Sequence, residues 1–388
     1  MNGIWVTGMG LVAPLRPFDT IEAFWGALTA GEDAIKIHPP PLLKNDTKWL
    51  TAAIVTEVAL KPEDKFFYIA EAALKMAIED SALNADALRG AGLIIGSILG
   101  NVLSRERQLI DDRAHPGTPE ASLSYPVRQL GWRFAVGGRL SAVSTACASG
   151  TDAVGMAARR VAAGDADIVI AGGVDVLSDF ALAGFNLLQA LTEDKVRPFD
   201  KKRTGLALGE GAAFLVIESE GHARARGAKC HGRVLGYASC ADASHLTAPH
   251  RDGRGLAHAI TRALSQSGLS PNDINYINAH GTATVYNDQM ETKAIKKALG
   301  EAAYETHVSS TKSMLGHAFG ASGVIESLCA LMAIKTGVIP PTINYRYPDP
   351  QCDLNYVPNT AITTHVTASM SLSAGFGGQN AAVIFGGP

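Results

Sequence analysis

Ser144-Thr-Ala-Cys-Ala-Ser-Gly-Thr-Asp-Ala153 and Ser309-Ser-Thr-Lys-Ser-Met-Leu-Gly-His-Ala-Phe-Gly-Ala-Ser-Gly323 are two versions of one junction. In each, a Ser-Thr strand end gives way to a helix rich in Ala and Gly. Arg139–Ala146 reads as the first strand and Ala148–Ala163 as its helix, closed by Gly164. His307–Thr311 reads as the second strand and Ser322–Lys335 as its helix, closed by Gly337. Working outward, the same alternation continues. Ile4–Thr7 is a strand expected to break at Gly8, and Asp19-Thr-Ile-Glu22 has the form of a capping box. Lys61–Leu83 is a helix, and Gly92–Gly96, Asp167–Gly172 and Ala212–Glu218 are buried strands. A second series runs from strand Gly232–Ala238 through helix Arg254–Gln266, strand Ile274–Ala279 and helix Asp288–Leu299. It ends with strands Ala368–Ser373 and Ala381–Phe385, joined at Gly375-Phe-Gly-Gly378. This is an α/β pattern in two related βαβαβ-type halves, 1–225 and 226–388, parted at the charged turn Gly221–Lys229.

Composition narrows the function classes. With 388 residues, 47% of them apolar and 18% charged, the chain can bury a sizeable core. A net charge of −3 leaves no global footprint for nucleic acid or an anionic membrane, so neither is expected as a partner. The 5 cysteines are odd in number and widely spread, with no CxxC pair and no zinc-ligand spacing. That favours reduced thiols and predicts neither a disulfide framework nor a metal. The opening MNGIWVTGMG lacks the basic and apolar segments of a secretory signal, and no bilayer-spanning run is expected. A soluble cytoplasmic protein is the expectation. Gly8-Met-Gly-Leu-Val-Ala13 matches a dinucleotide fingerprint in form. Pro14 and Pro17 interrupt the helix such a site needs, so it reads as a turn packed closely against a neighbour.

Three residues carry the chemistry. Cys147 sits where a strand ends and a small-residue helix begins, so the helix dipole and free amides favour its thiolate. Taken alone, it reads equally as a buried structural cysteine. His280 ends the strand INYINAHGT, and His317 lies in LGHAFGASG five residues after Lys312. Each alone reads as a core histidine. Together at strand ends, one thiol and two imidazoles form the arrangement of acyl transfer.

These motifs, together with VTGMGLVAP, GDADIVIAGG, RPFDKKRTG, GEGAAFLVIE, PPTIN and GFGGQN, make the chain resemble a β-ketoacyl-acyl-carrier-protein synthase. The resemblance is to the elongating, two-histidine type within the thiolase superfamily, and it runs nearly end to end. It implies a five-layered α/β/α/β/α body and an obligate dimer. It implies Cys147 as the acylated nucleophile, and His280 and His317 as the paired histidines. Lys312 would be the lysine of the TKS motif, Glu291 its acidic partner, and Asp288 a nearby aspartate. Thr282 and Thr284 would hold the phosphopantetheine arm, being two apart on an extended segment and so facing one way. The amides of Cys147 and Ala374 would form the oxyanion hole. No cofactor is implied, because the substrates ride on the arm of an acyl carrier protein. A degradative thiolase would need a second cysteine between Ser371 and Asn380, and there is none.

Departures from the family pattern concern the acyl pocket. Ala374 stands where a gating Phe is common, leaving Phe376 in the glycine turn, and Thr204-Gly205-Leu206 replaces Asp-Gly-Phe. Both changes remove aromatic volume and favour a specialised polyketide or aryl-polyene ketosynthase. The alternatives are a general fatty-acid elongation enzyme, or a subunit active only with a related chain-length partner. The protein is thus expected to be a homodimer or such a heterodimer. Carrier-protein docking is expected on Lys61, Lys65, Lys201, Lys202 and Arg203.

Overall fold

The computed structural model describes residues 3–38, 50–56, 64–111 and 119–388. Ten strands form the main sheet: β1 Ile4–Val12, β2 Gly92–Gly96, β3 Leu140–Val143, β4 Ile168–Asp175 and β5 Gly211–Ser219, then β6 Gly232–Ala241, β7 Tyr276–Asn278, β8 His307–Ser309, β9 Ala368–Gly375 and β10 Gln379–Gly386. Their spatial order is β8-β7-β9-β10-β6-β1-β5-β4-β2-β3. Counted within its own series, each set of five strands runs 3-2-4-5-1 from its outer edge inward. The strands β2, β3 and β4 pair in parallel, as do β7, β8 and β9, while the remaining neighbours are antiparallel. Among the described residues the series meet at β1 and β6 through two residue pairs, Trp5 with Arg233 and Val6 with Gly232.

Period-two alternation along the strands builds separate cores. Helices α1 Ile21–Thr29, α2 Lys65–Ser81, α3 Ser149–Ala162, α4 Asp179–Leu187, α5 Arg254–Ser267, α6 Val285–Leu299 and α7 Ser322–Thr336 supply the other surfaces. Ile95, Ile170 and Val216 point outward onto Phe66, Ile69 and Leu74 of α2. Their neighbours Ile94, Val169 and Leu215 point inward to α3 and α7. On the other side Val383 and Phe385 also face α3 and α7, while Ile277, Met370 and Ile384 turn outward onto α5 and α6. The result is the expected five layers, with α3 and α7 in the middle. Every residue of α7 from Ser322 to Ala333 is buried, which explains its lack of an amphipathic pattern. Within it, Leu328→Ala would cost roughly 2–5 kcal/mol by opening a cavity.

Some boundaries differ from expectation for physical reasons. β1 does not break at Gly8 but continues to Val12. A Cβ on Gly8 or Gly10 would sit 2.4 or 2.0 Å from carbonyls of α2, so these glycines allow a close helix approach rather than a turn. The cap of α1 is Thr20, one residue later than the proposed box, and its hydroxyl accepts from Ala23 N–H at 3.1 Å. β3 stops at Val143, short of Ala146. Phe319–Thr336 is apolar and long enough by composition to cross a bilayer, contrary to expectation, yet it is 83% buried in the protein core.

Candidate active site

The segment Ser144–Ala148 between β3 and α3 is an elbow. Ala146 takes a left-handed φ of 50°, and the next residue, Cys147, is thrown against the seam between the two strand series. Side chains hold the bend. Ser149 Oγ accepts from Thr145 N–H at 2.9 Å and donates to the Ala146 carbonyl at 2.5 Å. Thr145 donates to Asp152 at 2.5 Å, and Tyr237 on β6 donates to the same carboxylate at 2.8 Å. The elbow is therefore anchored across the seam. A positive-φ, non-glycine residue just before a nucleophile is strain held in place by such bonds.

The two histidines enter from the other series. His280 follows β7, where the side chain of Glu291 on α6 accepts from the main-chain N–H groups of His280 and Gly281 at 2.7 and 2.8 Å. His317 follows the short helix Lys312–Leu315. The imidazoles meet edge to face, with centroids 5.3 Å apart. The Cys147 sulfur and one ring nitrogen from each histidine all lie within 4.8 Å of one another, and all three residues are buried. Nδ1 of His317 accepts from Phe319 N–H at 3.0 Å, so its proton must sit on Nε2. That Nε2, like Nδ1 of His280, is buried without a partner among the described residues.

Electrostatics keep the trio neutral. Burial pushes the Cys147 thiol up to about 11, only partly opposed by the Lys312 ammonium and by the main-chain N–H of Phe376. The expected stabilised thiolate is therefore overruled by burial. Both histidines lie well below their usual range, through burial first and the Lys312 charge second. They are N–H donors rather than imidazolium ions. A dication at the Cys-His-His cluster would meet the field of the Lys312 ammonium.

Lys312 does not pair with Glu291. It is bonded to Glu326 on α7, both side chains being 3% exposed. Glu291 is occupied with the His280–Gly281 backbone, and burial pushes it up to about 7. Glu326 was not foreseen, although a lone Glu in the apolar run SGVIESLCALMA calls for a buried cation. Asp288 accepts from Phe199 N–H at 2.7 Å and lies 3.9 Å from Arg203.

A largely apolar cavity of about 290 Å³ opens from the trio. Thr282, Thr284, Ala374, Phe376 and Leu206 all line it, together with Cys147 and both histidines. The Thr282 and Thr284 hydroxyls lie 2.9 Å apart, but the segment is not extended as expected: Ala283 takes a φ of 65°, and this turn brings the two together. The amide that reaches the sulfur is that of Phe376; Ala374 is paired with Asn380 in the β9–β10 ladder. The volume left by Ala374 is flanked by an unforeseen side chain: Phe185 of α4 stacks on Phe376 at 5.6 Å and meets Phe319 edge-on.

Of the expected docking residues, Lys201 and Lys202 are exposed, with Lys202 lying 3.9 Å from the Tyr347 ring centroid. Arg203 is buried, bonded to Asp349 at 2.6 Å and to the Thr284 and Val285 carbonyls, so it braces the cavity rim rather than facing a partner. Lys65 is tied to buried Glu210. Lys61 lies outside the described residues.

A buried thiol and two neutral imidazoles at the seam of a duplicated α/β body define a condensing acyltransferase. The chain belongs to the β-ketoacyl synthase family: residues 1–223 match its N-terminal domain and 231–346 its C-terminal domain. It is 38% identical to a 3-oxoacyl-[acyl-carrier-protein] synthase 2 of Synechocystis, over 98% of this chain and 97% of that one. It is 37% identical to the tetracenomycin polyketide synthase ketoacyl synthase alpha subunit of Streptomyces glaucescens, over 98% and 96%. Among solved structures, a type II polyketide ketosynthase in complex with its acyl carrier protein, AntDE:AntF, superposes with a TM-score of 0.92 at 32% identity, covering 99% of both chains. The ketosynthase ApeO in complex with its chain length factor ApeC, from Xenorhabdus doucetiae, gives 0.84 at 27% identity over 100% and 98%.

Proposed function

We propose that the protein joins an acyl group held on Cys147 to malonyl-acyl carrier protein, releasing CO2 and a 3-oxoacyl-acyl carrier protein two carbons longer. The observation that carries this is the convergence of Cys147, His280 and His317 within 4.8 Å at the end of an apolar cavity. In the first half-reaction the sulfur attacks the acyl thioester. The N–H groups of Cys147 and Phe376 receive the oxyanion, and the thiol proton leaves on the arm's sulfur. In the second, CO2 departs from the malonyl group and the enolate oxygen accepts from Nε2–H of His317 and from His280. The carbanion attacks the acyl carbonyl, and the Cys147 sulfur leaves and takes up one proton. A thiol with its pKa near 11 favours that last uptake.

The 3-oxoacyl-[acyl-carrier-protein] synthase 2 relatives match as well as the polyketide ones, and it is the polyketide and chain-length-factor neighbours that support a specialised pathway, polyene or otherwise polyketide-like. Ala374 and Leu206 point the same way, since they leave aliphatic volume beside the cavity. An acyl carrier protein is the proposed substrate partner. A second subunit, identical or a related chain-length partner, is proposed to complete a cytoplasmic dimer. Intact-mass screening against a panel of acyl carrier proteins, with and without such a partner, tests the reading. Acylation of Cys147 followed by malonyl-dependent chain extension is expected. Failure of every acyl carrier protein to load Cys147 would overturn it.

A further inference from the structure

His317 has a second neighbour on Nδ1. Ser322 Oγ lies 3.1 Å from it, and Phe319 N–H already makes Nδ1 an acceptor, so the serine must be the donor. Ser322 opens α7 and is 3% exposed. It also lines a separate small cavity behind the histidine, shared with Lys312, Glu326, Thr311 and Glu210. That cavity measures about 10 Å³, close to the room one water needs; its wall is mostly apolar, and Lys312, Glu326 and Ser322 are among the polar residues that line it. Oε2 of Glu326, on that wall, is buried and has no protein partner among the described residues. A serine hydroxyl that spends its proton on His317 keeps its lone pairs for a donor on the cavity side.

We propose that Ser322 is a positioning residue, donating to Nδ1 of His317 while accepting from one water held beside Lys312 and Glu326, and so holding the ring, whose tautomer the Phe319 N–H sets, in the orientation that presents Nε2–H to the substrate. The proposal rests on the condensing role of His317. It links the Lys312–Glu326 pair to the histidine by a bonded path in addition to the pair's field. It also explains why a polar residue occupies the start of a helix that is otherwise walled by apolar layers. No covalent step is involved, since the serine holds a proton in place and does not transfer it.

The test compares Ser322→Ala and Ser322→Thr with the unmodified protein in three measurements. The first is the 15N signature of His317 in histidine-labelled protein, assigned by its loss in a His317→Gln sample. The second is the rate of malonyl decarboxylation, and the third is acyl loading of Cys147. Losing one neutral hydrogen bond should slow decarboxylation about three- to tenfold. The Nδ1 15N signal of His317 should shift as that nitrogen loses one of its two donors, loading should be unchanged, and Thr should restore the signal and the rate. An unaltered His317 signature in the Ala variant would overturn the proposal, as would equal losses in loading and decarboxylation. If the unmodified protein decarboxylates nothing, the condensing role fails, and the 15N signature still decides whether Ser322 donates to Nδ1 of His317.

Discussion

Replacing Gly375 with Ala should separate folding from catalysis. A Cβ at that position would lie 2.9 Å from the Cys147 nitrogen and 3.0 Å from the Ala146 Cβ. Comfortable heavy-atom contact needs about 3.5 Å, so the glycine turn must retreat by ~0.5 Å from the elbow. Overpacking of this kind costs roughly 1–3 kcal/mol, which a protein with cores on both sides of its sheet can absorb. The next residue is Phe376, whose N–H is aimed at the sulfur, so the retreat carries off one of the two oxyanion donors. Losing one such donor is worth about 10²–10³ in rate. The assay is time-resolved intact mass of Cys147 acylation, beside a thermal melt. Gly377→Ala is the control: a Cβ there meets nothing within 4 Å, but φ is +80°, so it should cost about 1–2 kcal/mol of strain while loading persists. A folded Gly375→Ala protein that loads at the native rate would refute the assignment of the Phe376 amide.

With its pKa near 11, Cys147 should be about one part in a thousand thiolate at pH 8. Its alkylation rate should therefore climb tenfold per pH unit up to about pH 10, and fall further in Lys312→Met; a plateau near pH 8 would contradict this. His280→Ala and His317→Ala should each cut malonyl decarboxylation by at least ~10² while acyl loading of Cys147 survives, and the reverse pattern would mean the roles are misassigned. Charge reversal at Lys201 and Lys202 should raise the apparent KM for carrier-bound acyl groups and spare small thioesters; unchanged carrier kinetics would remove both from the docking face. Ala374→Phe should selectively reduce loading of a rigid polyene chain relative to a saturated one, since the new ring would crowd the cavity beside the Phe185–Phe376 stack. Equal effects on both chains would mean that residue 374 does not set substrate choice.

The fold was legible because its signals are local. The repeated strand-to-helix junctions at Cys147 and His317 mark the same place in two series of identical strand order. The position of each reacting group at a strand end follows from that repeat. What sequence did not show were contacts set by tertiary approach. Gly8 and Gly10 have the spacing of a turn, and only the carbonyls of α2 reveal them as a packing surface. Lys312 has two buried carboxylates within its field, and only the path of α7 assigns it to Glu326 and leaves Glu291 to the backbone. Arg203 adjoins two exposed lysines in sequence, yet Asp349, far along the chain, draws it inside. The thiol's state was misjudged for a related reason: a helix start is visible in sequence, but the depth of burial that outweighs it is not.

The arrangement of α3 and α7 has a consequence for how the protein could be divided. Each central helix packs on strands of its own series and also on the opposite series, and the sheet itself is joined there by just two residue pairs among the described residues. Cleaved in the exposed turn around Gly227, neither fragment could hide its central helix alone, and each would be sticky rather than folded. One fragment would carry the nucleophile and the other both imidazoles. Activity would then return only when the two pieces recombine, which makes this fold a natural split reporter of its own assembly.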